Sequence, residues 1–147
     1  MNAAKKLEKV QVASAVYDYF AAGILAFPLI ASWYLGTILH GTHEMLGASG
    51  SYPGFDYFHL LFVNLFGGFA IMWSTLRIIK REPVMGLCDG LLRSYYAAMM
   101  LLYVAYWGIT FILIAFIFIE IFWGAWQLYL YFAARRQEES SLQVLAD

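Results

Sequence analysis

Charge is what this sequence most lacks. Of its 147 residues, 13% are charged, whereas 63% are hydrophobic and 19% are aromatic. Soluble domains carry about 25% charged residues and are about half apolar, and disordered or nucleic-acid-binding chains need more charge still. The composition therefore excludes an ordinary soluble enzyme, a disordered tail and a nucleic-acid-binding protein. It indicates an integral membrane protein whose first partner is the lipid bilayer.

Cysteine and net charge are scarce as well. The single cysteine, Cys88, has no partner in the chain, which excludes a secreted disulfide scaffold. The formal net charge is -1, so no excess of one sign points to an acidic or a basic partner.

Long uncharged stretches predict the membrane spans. Residues 19–39 contain no charge, Asp56 and Arg77 bracket a second stretch, and residues 94–134 form a third that only Glu120 interrupts. A span needs about 20 apolar residues, and the third stretch would be about 60 Å long as one helix, twice the thickness of the hydrocarbon core. It must therefore fold back, and Gly108 within residues 107–110 marks the turn.

These lengths predict one all-α domain, an up-down bundle of four transmembrane helices with short loops. The spans lie at about 14–39, 56–79, 90–107 and 110–134, with a kink at Pro28, and residues 135–147 form a short polar tail.

Basic residues predict the orientation. In the four-span arrangement every lysine and arginine lies on one side, and residues 40–56 and 107–110 contain none. Because cytoplasmic loops carry the Lys/Arg excess, we expect both termini in the cytoplasm and the protein in a bacterial inner membrane. The nine basic residues are Lys5, Lys6, Lys9, Arg77, Lys80, Arg81, Arg93, Arg135 and Arg136.

Polar residues at membrane depth are costly and need a partner or a function. Glu120 lies near the middle of the fourth predicted span, and Asn64 lies at a comparable depth on the second. We expect the two side chains to form a hydrogen bond, either as an interhelical clasp or as a ligand-binding or catalytic carboxyl group at Glu120. Further ligand-binding candidates are Gln127, on the same helical face, and two mid-helix aromatic residues, Trp123 and Tyr103.

Charged residues at the inner boundary suggest structural ion pairs. Asp89 and Arg93 are four residues apart on one helix face, and Asp18 and Arg77 lie near the same level. The alternative is a charged mouth for an anionic lipid headgroup, with Arg77, Lys80 and Arg93 as donors.

All three histidines lie at the outer ends of the first two spans. Histidine and carboxylate side chains are metal ligands, but neither a His-Glu-x-x-His nor a His-x-x-Glu-His motif is present. We therefore expect interfacial packing and no metal site here. The alternatives are a metal site, or a proton path from His59 toward Glu120. The candidate metal ligands are His40, His43, Glu44, Asp56 and His59.

Three functions are compatible with this pattern, and the sequence identifies no cofactor. The first is a non-enzymatic accessory or oligomeric membrane component that contacts other membrane subunits, which the small number of spans favours. The second is a binder, carrier or isomerase of a lipophilic small molecule, with Glu120 in an intramembrane pocket. The third is a proton or ion pathway through His59 and Glu120. A pocket above about 300 Å³ that touches Glu120 would favour the second function.

Overall fold

The computed structural model describes residues 2–146, with side chains through residue 143, and this range is all-helical without a strand. Prolines begin two of the helices, where the missing N–H group costs no intrahelical hydrogen bond. The elements are α1 (Ala3–Ala21), a 3₁₀ turn (Gly23–Ala26), α2 (Pro28–Trp33), a π-helical segment (Tyr34–Leu39), α3 (His40–Met45), α4 (Tyr57–Ile79), α5 (Pro83–Trp107) and α6 (Leu113–Ala146).

Helix α1 is central and packs against α4, α5 and α6. Its Leu7 and Val10 form a small apolar core with Leu130 of α6. Helices α5 and α6 form an antiparallel pair that is close at two glycines, because a Cβ atom on Gly90 would lie 3.2 Å from the carbonyl oxygen of Gly124. Small residues at such a contact allow two helix backbones to approach closely.

The first predicted span is broken rather than kinked. Helix α1 ends at Ala21, a 3₁₀ turn follows, and Pro28 is the first residue of α2. A proline lacks the N–H group that would continue the preceding helix, so the chain restarts there. The π-helical segment that follows is a second irregularity, of a kind often found at functional sites.

The chain reverses direction at Gly108. Helix α5 ends at Trp107, and Gly108 adopts a left-handed conformation with φ of 61°, which glycine tolerates without strain. The loop after α3 braces this turn, since the N–H group of Ser51 donates to the carbonyl of Gly108 (2.8 Å) and that of Thr110 donates to the carbonyl of Ser51 (3.0 Å).

The predicted polar tail is not separate from the last span. Helix α6 continues through residues 135–146, because no glycine or proline follows Gly124 to end it. Asp147 lies outside the described residues.

Two helices in the described range are long and apolar enough to cross a membrane: Tyr57–Ile79, and the part of α6 from Leu113 to Gln143. The other two predicted spans are not among these helices. The segment ahead of α4 is divided by its breaks, and α5 contains the charged residues Asp89 and Arg93.

Candidate functional site

Five charged side chains from four helices meet inside the bundle, and we call them the charge network: Asp18, Arg77, Asp89, Arg93 and Glu120. Arg93 donates to three carboxylates, from Nε to Asp89 (2.9 Å), from one terminal nitrogen to Asp18 (2.6 Å) and from the other to Glu120 (2.9 Å). Arg77 donates to Asp18 and Asp89. Every helix of the bundle core is therefore joined to another through a guanidinium group.

Burial differs sharply within the charge network. The side chains of Arg77, Asp89 and Arg93 are 0%, 2% and 3% exposed, whereas those of Asp18 and Glu120 are 16% and 18% exposed. Charges buried this deeply are tolerated only when they are paired and hydrogen-bonded. The two guanidinium groups and Asp89 thus form the closed centre, and two carboxylates form its open edge.

Neutral side chains complete the coordination of Asp89. Its Oδ1 accepts a hydrogen bond from the indole N–H of Trp73 (2.8 Å), and its Oδ2 accepts one from the amide of Gln127 (2.8 Å). The same amide donates to the hydroxyl of Ser14 (2.9 Å), which also accepts from Arg77 (3.0 Å). Both oxygens of Asp89 are therefore satisfied.

The expected hydrogen bond between Asn64 and Glu120 is wrong. The Asn64 amide instead donates to the backbone carbonyl of Leu25 (2.7 Å), and Glu120 accepts from Arg93. Leu25 lies in the 3₁₀ turn, where the regular α-helical ladder is interrupted and a carbonyl is open to a side-chain donor. Glu120 is consequently part of an ion-pair network rather than an isolated carboxyl group.

The charged residues at the inner boundary are in contact as pairs. Asp89 lies against Arg93 and Asp18 against Arg77, as the sequence suggests, but the same cluster also includes Glu120. The alternative of a charged mouth for a lipid headgroup is wrong for both arginines, because they are buried and already pair with two carboxylates (Arg77) or three (Arg93).

A cavity of about 390 Å³ opens beside the exposed edge of the charge network, and Asp18 and Glu120 lie on its wall. The rest of the wall is apolar or aromatic. The 3₁₀ turn and the π-helical segment both contribute to this wall, so the breaks in the first segment help to create the space. Its larger side chains include Tyr34, Phe66, Tyr96, Met99 and Met100.

The ligand-binding candidates from the sequence do not share this cavity. They are Glu120, Asn64, Gln127, Trp123 and Tyr103. Only Glu120 lines the wall. Gln127 is fully buried in the centre of the network, and the Trp123 ring packs 6.2 Å from that of Tyr17. Tyr103 packs against Trp107 near the C-terminal end of α5.

Sequence reasoning missed Asp18 as a cavity residue. The signal was a polar stripe on α1, since Gln11, Ser14 and Asp18 follow one another at steps of three and four residues, which places them on one helix face. Gln11 and Ser14 are fully buried. This stripe faces the charge network.

Each of the three histidines pairs with a different side chain. The nitrogen–oxygen distances are 2.8 Å for His43–Thr110, 3.6 Å for His40–Glu44 and 2.9 Å for His59–Asp56. The backbone N–H group of His59 donates to Asp56, and this hydrogen bond lowers the pKa of that carboxyl group. Over the described residues, no three His, Cys, Asp or Glu side chains are grouped so that they could hold a metal ion.

The polar groups on the cavity wall are the carboxylates of Asp18 and Glu120 and tyrosine hydroxyls. The wall, as far as the structure describes it, contains no Ser, Cys, His or Lys side chain. Comparisons of this chain with protein families, with curated proteins and with solved structures find no match.

Proposed function

We propose that this protein is a four-span integral membrane protein that binds a lipophilic small molecule in the cavity beside Asp18 and Glu120. The observation that carries the proposal is the cavity itself, which has a volume of about 390 Å³, an apolar wall and two carboxylates at one end. Small-molecule pockets are typically 300–1,000 Å³ and mostly apolar, with a few polar groups that orient the ligand.

The distribution of apolar surface supports a membrane location. In the apolar windows of α4 and α6 only 22% of the residues are buried, and Leu29, Phe118 and Tyr129 are 88%, 68% and 70% exposed. The interior, in contrast, holds the charge network. Large exposed apolar surfaces mark protein or membrane contacts, and inward-facing paired charges are typical of membrane bundles.

The four spans of the proposal are the broken segment from α1 to α3, then α4, α5 and α6. Arg77 and Arg93 belong to the buried network, so the other seven basic residues carry the orientation. They lie near the termini and in the α4–α5 connection, which supports an orientation with both termini in the cytoplasm.

The two other functions suggested by the sequence have less support. An assembly role for the polar seam would place polar side chains on the outside of the bundle, whereas Arg77, Asp89 and Gln127 are buried inside it. A proton path from His59 would need a connection to Glu120, but the His59 side chain is 61% exposed and bonded to Asp56.

Photolabelling in nanodiscs tests the proposal. Three dodecyl probes, each with a diazirine in the chain and with a hydroxyl, an amino or a carboxylate head group, would be cross-linked to the purified protein. We expect saturable labelling by at least one probe, and a loss of that labelling in Met100→Trp, which fills the cavity from α5.

The matched control is Met72→Trp on α4, where the methionine is 63% exposed on the outer surface. This variant should be labelled like the unmodified protein. Labelling that does not saturate with any probe, or that is equal in the two tryptophan variants, would contradict the proposed function.

A further inference from the structure

The charge network carries one more negative than positive charge. Its carboxylates are Asp18, Asp89 and Glu120, and its guanidinium groups are Arg77 and Arg93. The other titratable side chains on the cavity wall are the tyrosines Tyr17, Tyr34 and Tyr96, and a phenol group carries no positive charge that could offset the excess. With all five network groups ionised, the network has a net charge of -1 in a low-dielectric setting.

The uncompensated charge lies at the cavity. Asp89 receives hydrogen bonds on both oxygens, so its charge is matched in the closed centre. Asp18 and Glu120 accept the arginine hydrogen bonds through Oδ2 and Oε2. No side chain in the described range donates to their second oxygens, and these two residues are the least buried members of the network.

The charge determines which ligands fit. An anionic ligand would add to the repulsion, and a neutral one would leave the excess charge buried without compensation, which is costly in an apolar environment. A cation would neutralise the excess, and a nearby aromatic wall is favourable for a cation as well. Because the rest of the cavity wall is apolar or aromatic, the cationic ligand also needs an apolar part that contacts this wall.

We propose that the cavity binds a lipophilic ammonium compound, with its cationic group between the carboxylates of Asp18 and Glu120 and its apolar body against α5 and the broken first segment. This inference rests on the proposed function and names its ligand class. The cationic group forms charge-assisted hydrogen bonds or contacts with the free carboxylate oxygens, and no covalent step is involved.

The three dodecyl probes test the charge preference on the unmodified protein. In phosphatidylcholine nanodiscs at pH 7, with empty-disc partitioning subtracted, we expect the amino probe to saturate cavity labelling at a concentration at least about tenfold below the hydroxyl probe. The carboxylate probe should label least. A dodecyltrimethylammonium competitor, whose charge cannot be lost, should displace the amino probe.

Two variants separate charge from structure. Glu120→Gln and Asp18→Asn each make the network neutral, so the ratio of amino to hydroxyl labelling should fall about tenfold. A purely structural role would lower the labelling by all probes alike, and that result would overturn the inference.

If both variants fail to fold, labelling of the unmodified protein still tests the cation preference. Equal saturation by the amino and hydroxyl probes would overturn the cation preference and leave the proposed function standing. An absence of saturable cavity labelling with every probe would overturn both.

Discussion

The stability of the buried charge network depends most on Asp89. Its carboxylate is 2% exposed and lies between Arg77 and Arg93, so it compensates both guanidinium groups where water does not reach. Removing one partner of a buried ion pair leaves the other charge uncompensated, and this costs far more than losing a surface pair.

We therefore expect Asp89→Asn to lower the free energy of unfolding by about 3–5 kcal/mol. Unfolding of the purified protein in mixed detergent micelles measures the change. Asp56→Asn is the matched control, because Asp56 is exposed at the start of α4 and asparagine caps a helix as well as aspartate. Equal stability of the two variants would show that Asp89 is not the centre of the network.

The sequence indicated part of this site at the residue scale. The four-residue spacing of Asp89 and Arg93 is visible in the sequence, and so is the isolation of Glu120 among apolar residues. The partner of Asn64 was not predictable from side-chain patterns, because it is a backbone carbonyl exposed by the break before Pro28. Counting residue depth along unbroken helices therefore predicted Glu120 as the partner of Asn64, whereas the partner is the carbonyl of Leu25.

At the scale of elements, the contact between α4 and the 3₁₀ turn sets the shape of the cavity. A Cβ atom on Gly67 would lie 2.1 Å from the backbone nitrogen of Ala26, whereas one on Gly68 would meet nothing within 4 Å. Only the first of these adjacent glycines is therefore required for the close approach, and the same face of α4 holds the 3₁₀ turn through Asn64.

Gly67→Ala should destabilise the protein by about 1–3 kcal/mol, because the added methyl group meets backbone that must move. Gly68→Ala is its matched control and should be neutral or slightly stabilising, since alanine is the better helix residue. Thermal unfolding in detergent compares the two. A similar melting temperature for both variants would argue against the packing of α4 on the 3₁₀ turn.

The boundaries of helices were predictable where the local sequence contains a signal for them. The length of the third uncharged stretch together with Gly108 indicates the reversal between α5 and α6. Pro28 marks the restart of the helix after the break, whereas the 3₁₀ turn packs against α4 and the π-helical segment accepts a hydrogen bond at the carbonyl of Leu35 from the hydroxyl of Tyr52 (2.6 Å). Such tertiary contacts leave no local pattern in the sequence.

At the scale of the whole molecule, the proposed topology places the loop before α4 outside and the end of α6 inside. In a Cys88→Ser background, an impermeant maleimide should label Ser49→Cys in intact cells and Ser140→Cys only after permeabilisation. Ser49 and Ser140 are both exposed, so access to each side decides the outcome. Labelling of both sites in intact cells, or the reverse pattern, would contradict the orientation.

The position of the photolabel tests the central claim most directly. Peptide mass spectrometry after cross-linking with the amino dodecyl probe should locate the adduct on cavity residues such as Tyr34, Tyr96 or Met99, and the adduct should disappear in Met100→Trp but persist in Met72→Trp. Adducts confined to outward-facing residues such as Leu29 and Phe118, unchanged in both variants, would show that the probe only dissolves in the surrounding lipid and that the cavity is not a binding site.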